Sequence, residues 1–371
     1  MPASIRLLPI VPPDAVSPMD PCFALTFFLP DRRVDSLHPL GHGNINDTWR
    51  VVLADGTRLV LQRLRPEIFA DPAAVMANMR LVTEHLGRLP EHGNAFFRLV
   101  ANPQGLDYLL DASGCCWRLL THIDHTRTLA RLNTTTQARE IGTLLGRFHL
   151  LTADLDCRSL ADPLPGFHCT PRYLEQFDAV KGAGPPANDD EAWCCDLIEQ
   201  LRPLAAVLEE AKHRLSQRVI HGDPKAANFL FAVDADRAVG LIDFDTVKPG
   251  LLLYDLGDCL RSCCNPLGEA HPVPDDTVFD PELFAALMDG YLGQAGHLLS
   301  PADRELLVTS AAVISFELGV RFFTDHLDGD RYFKVSQPGQ NLHRALIQLH
   351  LNRSIRAQQQ TLERLLAALL A

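Results

Sequence analysis

No stretch of this sequence reaches the ~20 consecutive apolar residues of a membrane-spanning helix. The N-terminus has no basic segment followed by an apolar core of signal length, because Pro9, Pro12, Pro13 and Pro18 interrupt it. Basic charge is scarce as well. Lysine and arginine number 34 against 46 aspartates and glutamates, a net charge of −12, which argues against binding to a nucleic-acid backbone, since such binders need basic surface. A nucleotide is not excluded, because a few local cations and a metal ion can hold a triphosphate in an acidic protein. Zinc-type spacing is missing too. The ten cysteines include three adjacent pairs (Cys115-Cys116, Cys194-Cys195, Cys263-Cys264) and no CxxC, so free, mostly buried thiols in a reducing compartment are expected. Internal repeats are absent. These absences predict a soluble, cytoplasmic protein with neither nucleic-acid nor membrane partners.

What is present is enough apolar material for a large core: 47% of 371 residues are hydrophobic, a length that predicts two domains or lobes. Residues 1–34 are Pro-rich and poorly periodic. From Val34 to Leu64 the sequence reads as β, with strands over Asp47–Leu53 and Arg58–Leu64 joined by the hairpin turn Asp55-Gly56. Asp71-Pro72 supplies an N-cap and a proline at the first helical position, and Val75, Met79, Val82 and Leu86 follow at helical spacing. Strands are expected at about 97–99, 107–110 and 116–120. Helices are expected over Thr135–Leu151, over Glu191–Leu215 and through most of the chain after 276, ending in a long amphipathic stretch from Leu342 to Leu370. The fold class is therefore α+β, with a small β-rich lobe (1–120) preceding a larger helical lobe (121–371).

Chemistry concentrates in one short loop, His221-Gly222-Asp223-Pro224-Lys225-Ala226-Ala227-Asn228. Phosphoryl transfer needs a carboxylate to orient and deprotonate the attacking hydroxyl, groups that hold Mg²⁺, and cations on the phosphates. Asp223 is the candidate base, Lys225 a mobile cation for the transferred phosphoryl group, and Asn228 a metal ligand. Beyond it the apolar strand Leu241-Ile242 ends in Asp243-Phe244-Asp245, where Asp243 supplies a second metal ligand. His221 reads as a structural histidine holding the loop, and Asp255 as a buried carboxylate accepting loop amides. Asp245 reads equally as support for the metal or as a turn residue.

These segments resemble the aminoglycoside phosphotransferase and choline kinase superfamily, and within it the N-acetylhexosamine 1-kinases. The resemblance runs from about residue 38 to 352. It rests on Gly41 to Thr48 (GHGNINDT), Leu61 to Leu64 (LQRL), the loop above, Ile242 to Gly250 (IDFDTVKPG), Tyr254 to Asp258 (YDLGD) and Glu317 to Phe333 (ELGVRFFTDHLDGDRYF). Asn44 departs from the pattern, which has His there. The resemblance implies a two-lobe protein-kinase-like fold, ATP and Mg²⁺ as cofactors, and a small-molecule acceptor, an amino sugar, phosphorylated at its anomeric hydroxyl. It further implies acceptor contacts from His168, Arg321 and Tyr332.

For the nucleotide, Gly41, Gly43 and Asn44 form either a lid over the phosphates or a plain hairpin turn. Arg63 stands where kinases place a phosphate-binding lysine. It shares a face with Leu61, which would pack under adenine. Glu84 is a candidate acid for Arg63, or a solvated helix residue. Leu120 and His122 lie where the lobes should join and backbone groups would meet the adenine edge. The acidic residues Asp325, Asp328 and Asp330 offer the carboxylates that a cationic acceptor, such as an aminoglycoside or amino alcohol, would require.

Overall fold

Period-2 alternation of apolar residues builds the first sheet. In the computed structural model, which describes residues 19–40, 46–65, 68–69, 71–89, 95–182 and 184–371, the chain forms two compact units, Met1–Asp124 and His125–Ala371.

The N-terminal unit begins with helix α1 (Pro21–Phe28), followed by β1 (Val34–Pro39), β2 (Asp47–Leu53), β3 (Arg58–Leu64), helix α2 (Pro72–Gly87), β4 (Tyr108–Leu110) and β5 (Cys116–Thr121). The five strands form one antiparallel sheet in the order β1-β2-β3-β5-β4. Gly56, at φ +83°, makes the expected turn between β2 and β3. Val51, Leu53, Leu59, Leu61, Trp117 and Leu119 point to one face and pack with Ala24, Leu25 and Phe28 of α1 into a core. Helix α1 was not expected in a proline-rich lead-in. Its signals are Asp20, whose side chain caps Cys22 N, and Pro21 in the first turn. The strand expected at 97–99 is reduced to a single bridge between Leu99 and Leu120.

The C-terminal unit holds β6 (Thr126–Thr128), α3 (Thr135–Leu151), α4 (Thr170–Val180), α5 (Asp189–Leu201), α6 (Val207–Ala211), β7 (Gln217–Ile220), β8 (Phe229–Ala232), β9 (Ala238–Leu241) and β10 (Lys248–Leu251). Helices α7 (Leu252–Cys263), α8 (Pro281–Ala295), α9 (Pro301–Leu327), α10 (Gln340–Ala357) and α11 (Gln359–Leu370) complete it. The helix expected over 191–215 is interrupted. Pro203 has no amide proton, and its ring crowds the carbonyl four residues back, so the chain passes through a 3₁₀ turn (Arg202–Ala206) before α6. The terminal amphipathic stretch is likewise two helices, divided at Gln358. Two small sheets, β6-β8-β9 and β7-β10, place the chemistry. β7 ends just before His221, β8 begins just after Asn228, and β9 ends two residues before Asp243.

Helix α9 forms the centre of this unit, packing on α7, α10 and α4. By length and a mean hydropathy of 1.7 it meets the composition of a membrane span, which was not expected, but 78% of that window is buried inside the protein. Helices α3 and α8 cross where glycine faces backbone. A Cβ on Gly142 would lie 1.9 Å from Leu287 O, and one on Gly290 2.1 Å from Arg139 O. Gly142→Val should therefore force the pair apart and destabilise the enzyme by about 3 kcal/mol, read as a lowered midpoint in chemical denaturation. All ten cysteines are free thiols.

Candidate active site

Catalytic-loop geometry starts from a buried carboxylate. Asp255, in the first turn of α7, accepts the backbone N–H groups of His221 and Gly222, each at 2.7 Å, and the Nε2–H of His149 at 2.8 Å. His149 is held in turn by the Tyr291 hydroxyl, 2.9 Å from Nδ1. Burial alone would raise the Asp255 carboxyl. The hydrogen bond and charge of His149 and the loop amides outweigh it and keep the group below the ordinary carboxylate range. Asp255 is thus the amide-accepting support expected of it. Gly222 sits at φ +87° with its Cβ position 2.6 Å from Thr246 O, so both space and conformation require glycine.

His221 is structural, as expected. Its Nε2 donates to Ile242 O at 2.9 Å, and its Nδ1 accepts the N–H of Asp223 at 3.2 Å. Burial holds its pKa below the ordinary histidine value, so the ring is neutral.

Asp223, Lys225, Asn228 and Asp243 are brought together. Lys225 Nζ lies 2.5 Å from Asp223 Oδ2, and Asn228 Nδ2 donates to Asp223 O at 2.7 Å. Burial works against charge on both members of the first pair. The ammonium beside Asp223 nonetheless lowers its pKa, and the carboxylates of Asp223 and Asp243 raise that of Lys225. Asp223 is therefore an ionised carboxylate at neutral pH. The backbone N–H of Ile242 bonds to Asn228 O at 3.0 Å, setting Asp243 beside the loop. Asp243 itself adopts φ 71°, ψ 62°, a left-handed conformation costly for a non-glycine residue.

With its nitrogen committed to Asp223, Asn228 has Oδ1 for a cation, and Asp243 adds a carboxylate. Two hard oxygen donors suit Mg²⁺, which keeps waters and phosphate oxygens in its remaining positions. Among the described residues no group of three or more His, Cys, Asp or Glu side chains forms an all-protein metal cage. Asp245 is buried in the 3₁₀ turn after Asp243.

One buried acid escaped the sequence reading. Asp258, one turn beyond Asp255, pairs with Arg261 Nε at 2.8 Å, and its Oδ2 has no hydrogen-bond partner. Burial raises its pKa, and the charge of Asp223 adds to the effect.

His168 departs from its expected role. It is 4% exposed, and both ring nitrogens are occupied: Nε2 lies 2.7 Å from Gly222 O and Nδ1 3.0 Å from Glu317 Oε1. No atom is left over for an acceptor. The loop before it is pinned by buried Lys248, whose Nζ bonds to Asp162 at 3.0 Å and to Leu164 O at 3.3 Å.

Arg321, expected to contact the acceptor, is surrounded by aromatic rings. Its guanidinium lies over four rings, at 5.1 Å from Phe167, 4.9 Å from Tyr173, 6.0 Å from Tyr332 and 5.5 Å from Phe333. Tyr332 is 40% exposed, so this cage opens outward. The acidic cluster nearby is already engaged. Asp325 accepts the backbone N–H groups of Arg331, Tyr332 and Phe333 at 2.8–2.9 Å, and Asn341 Nδ2 donates to both Asp325 and Asp330. Asp325 and Asp330 thereby shape the 328–333 loop, while the Asp328 side chain, 43% exposed, lies 3.4 Å from Arg331.

In the N-terminal unit, Arg63 and Leu61 share a face, as expected, but it is the face packed against α1. Leu61 is fully buried in that core, which removes it from any adenine surface. Arg63 pairs with Asp47 at 2.6 Å, its neighbour across β2–β3, and its guanidinium lies 5.5 Å from the Trp117 ring. Glu84 is the solvated alternative, exposed and 3.8 Å from Arg88. The opposite face carries Gln62 and a fully buried Arg118, register partners joined by bonds of 2.9 and 2.6 Å. Strand alternation alone would have put them together, and the sequence reading did not single them out. Leu120 is buried in β5. His122 follows that strand, with its backbone N–H bonded to Arg58 O and its Nδ1 to Asp124 at 2.8 Å. Gly41, Gly43 and Asn44 lie outside the described residues.

An antiparallel-sheet unit followed by a helical unit with a base, a lysine and two metal-type oxygen donors on adjoining loops defines a small-molecule kinase of protein-kinase-like fold. The chain belongs to the phosphotransferase enzyme family (APH), whose model matches residues 36–305. Solved structures agree in fold. An aminoglycoside phosphotransferase from Alicyclobacillus acidocaldarius is 17% identical, with TM-score 0.62, over 94% of this chain and 98% of that one. A microcompartment-associated aminopropanol kinase is 16% identical, with TM-score 0.61, over 92% and 97%. The amicoumacin kinase hAmiN, in complex with AMP-PNP, Ca²⁺ and Ami, is 14% identical, with TM-score 0.57, over 85% and 87%.

Proposed function

We propose that this enzyme transfers the γ-phosphoryl group of ATP, with Mg²⁺, to the anomeric hydroxyl of an N-acetylhexosamine. Asp223 accepts the hydroxyl proton as the sugar oxygen forms its bond to the γ-phosphorus. The bond from that phosphorus to the β-γ bridging oxygen breaks, and ADP and the sugar 1-phosphate leave. Lys225 moves from Asp223 to the transferred group and offsets its charge. Asn228 and Asp243 would hold Mg²⁺, which would supply positive charge to offset that of the phosphates. Nucleotide- and Ca²⁺-bound relatives, the AMP-PNP and Ca²⁺ complex above and a GDP complex of aminoglycoside 2'-phosphotransferase-IIIa, support these cofactors.

The observation that carries the choice of acceptor is the Arg321 cage. A guanidinium held by rings, within electrostatic reach of Asp223, repels ammonium-bearing acceptors and donates hydrogen bonds to oxygen. Two of the three nearby carboxylates, Asp325 and Asp330, are engaged by loop amides and Asn341. A neutral, oxygen-rich sugar with an acetamido carbonyl fits this site, and exposed Tyr332 offers a face on which a ring can stack.

The test is ADP release with Mg·ATP across N-acetylhexosamines, simple hexoses, aminoglycosides and amino alcohols. Turnover on N-acetylhexosamines with an acid-labile 1-phosphate product is expected, and turnover on amino alcohols alone would overturn the reading. Arg321→Ala should raise the acceptor KM about tenfold or more, equivalent to about 1.4 kcal/mol, with little change in the KM for ATP.

A further inference from the structure

We infer that His168 is a positively charged positioning residue that fixes the catalytic base by clamping the Gly222 carbonyl to helix α9 through Glu317. Hydrogen-bond accounting carries this. Nε2 lies 2.7 Å from Gly222 O, which can only accept, so Nε2 bears a proton. Nδ1 lies 3.0 Å from Glu317 Oε1, a carboxylate whose other oxygen already accepts the Thr170 hydroxyl at 2.8 Å. With Glu317 as a carboxylate, Nδ1 bears a proton as well, which makes the ring an imidazolium. Glu317 is 1% exposed, and an ionised carboxylate so deeply buried requires a cationic partner.

The clamp acts on one peptide plane. The plane between Gly222 and Asp223 has its carbonyl held by His168 and its N–H held by His221 Nδ1 at 3.2 Å. With both edges fixed, the direction in which Asp223 leaves the chain is fixed too. His168 adopts φ 65°, a left-handed conformation that a non-glycine residue holds only when its surroundings impose it. At its other end the clamp reaches acceptor-side residues. Glu317 precedes Arg321 by one turn of α9, and Phe167, adjacent to His168, lies 5.1 Å from the Arg321 guanidinium.

Charged and titratable groups face the imidazole from the neighbouring elements, Glu317 on α9 and Asp258 and Tyr254 on α7, while Arg321 and Lys248 lie over the adjacent Phe167 ring and Asp223 follows the clamped Gly222. Burial disfavours the charged ring, but the charge of Glu317 wins and raises its pKa above the ordinary histidine value. The clamp is thus complete at neutral pH and opens as pH rises through that pKa.

Side-chain ¹⁵N NMR of histidine-labelled enzyme tests this without any acceptor, so its outcome is independent of the sugar-kinase reading. At pH 7.5 one histidine, lost in His168→Gln, should have both nitrogens protonated. In Glu317→Gln it should deprotonate at least about one pH unit lower, and the alkaline limb of the kcat profile for ADP release should move with it. His168→Gln should lower kcat by about 10²-fold through misplacement of the base, with the KM for ATP unchanged. A bare nitrogen on His168 at pH 7.5, or an alkaline limb unmoved in Glu317→Gln, would overturn the inference. If His168→Gln does not fold, assigning the ring signals of the unsubstituted enzyme by through-bond correlation from the His168 backbone still decides the protonation state.

Discussion

Replacing Asp223 with alanine should lower kcat by about 10³-fold while leaving the protein folded. The kinetic loss follows from its position. Asp223 is the ionised carboxylate within the loop, 26% exposed, with Lys225 and Asn228 turned toward it. Without it no group on the loop can orient the acceptor hydroxyl and take its proton. The fold should survive because two bonds to the Asp223 backbone remain: Asn228 Nδ2 reaches its carbonyl, and His221 Nδ1 accepts its amide N–H. Lys225, 30% exposed, can turn its ammonium to water. ADP release with the acceptor proposed above measures the first effect, and thermal unfolding within about 3 °C of the parent measures the second. Near-normal turnover would sink the assignment of the base.

Asp255→Ala should do the reverse and cost about 3–5 kcal/mol of stability. It strips the partner from two buried amides and from His149, whose ring and Asp255 are both fully buried. Water cannot replace the lost carboxylate there. The linkage has a definite sign. Because its folded pKa is depressed, Asp255 contributes stability that is full above the ordinary carboxylate range and disappears as pH falls through the depressed value. Chemical denaturation should therefore show acid sensitivity in the parent and a flatter profile below pH 5 in Asp255→Asn. Equal acid sensitivity in both would remove Asp255 from its supporting role.

The catalytic loop was legible because phosphoryl transfer crowds its groups into eight consecutive residues, and both the strand before Asp243 and the Asp55-Gly56 hairpin announce themselves locally. What stayed hidden depends on partners far away in sequence. Arg63 looked free to meet phosphate because its partner, Asp47, is visible only once β2 and β3 are in register. His168 looked like an acceptor contact because its two partners lie 54 and 149 residues away. Asp325 looked like available charge until the chain turned back to lay three amides on it. Helix α1 is eight residues long, too short for its periodicity to stand out from the prolines before it. Local pattern reports the elements. Pairing between elements decides which polar groups remain for a ligand.

On the acceptor reading proposed above, helix α9 carries Arg321 toward the acceptor and, one turn earlier, Glu317 toward the loop 221–228 through His168. This limits how the enzyme can be retargeted. Exchanging the whole segment 317–333 with that of a relative would change the specificity determinants and also dismantle the support beneath the base and the fold of the 328–333 loop. A library aimed at new acceptors should hold Glu317, Asp325 and His168 constant. Diversity belongs at the rim of the cage, at Tyr332 and Tyr173, where side chains can vary without disturbing the machinery underneath.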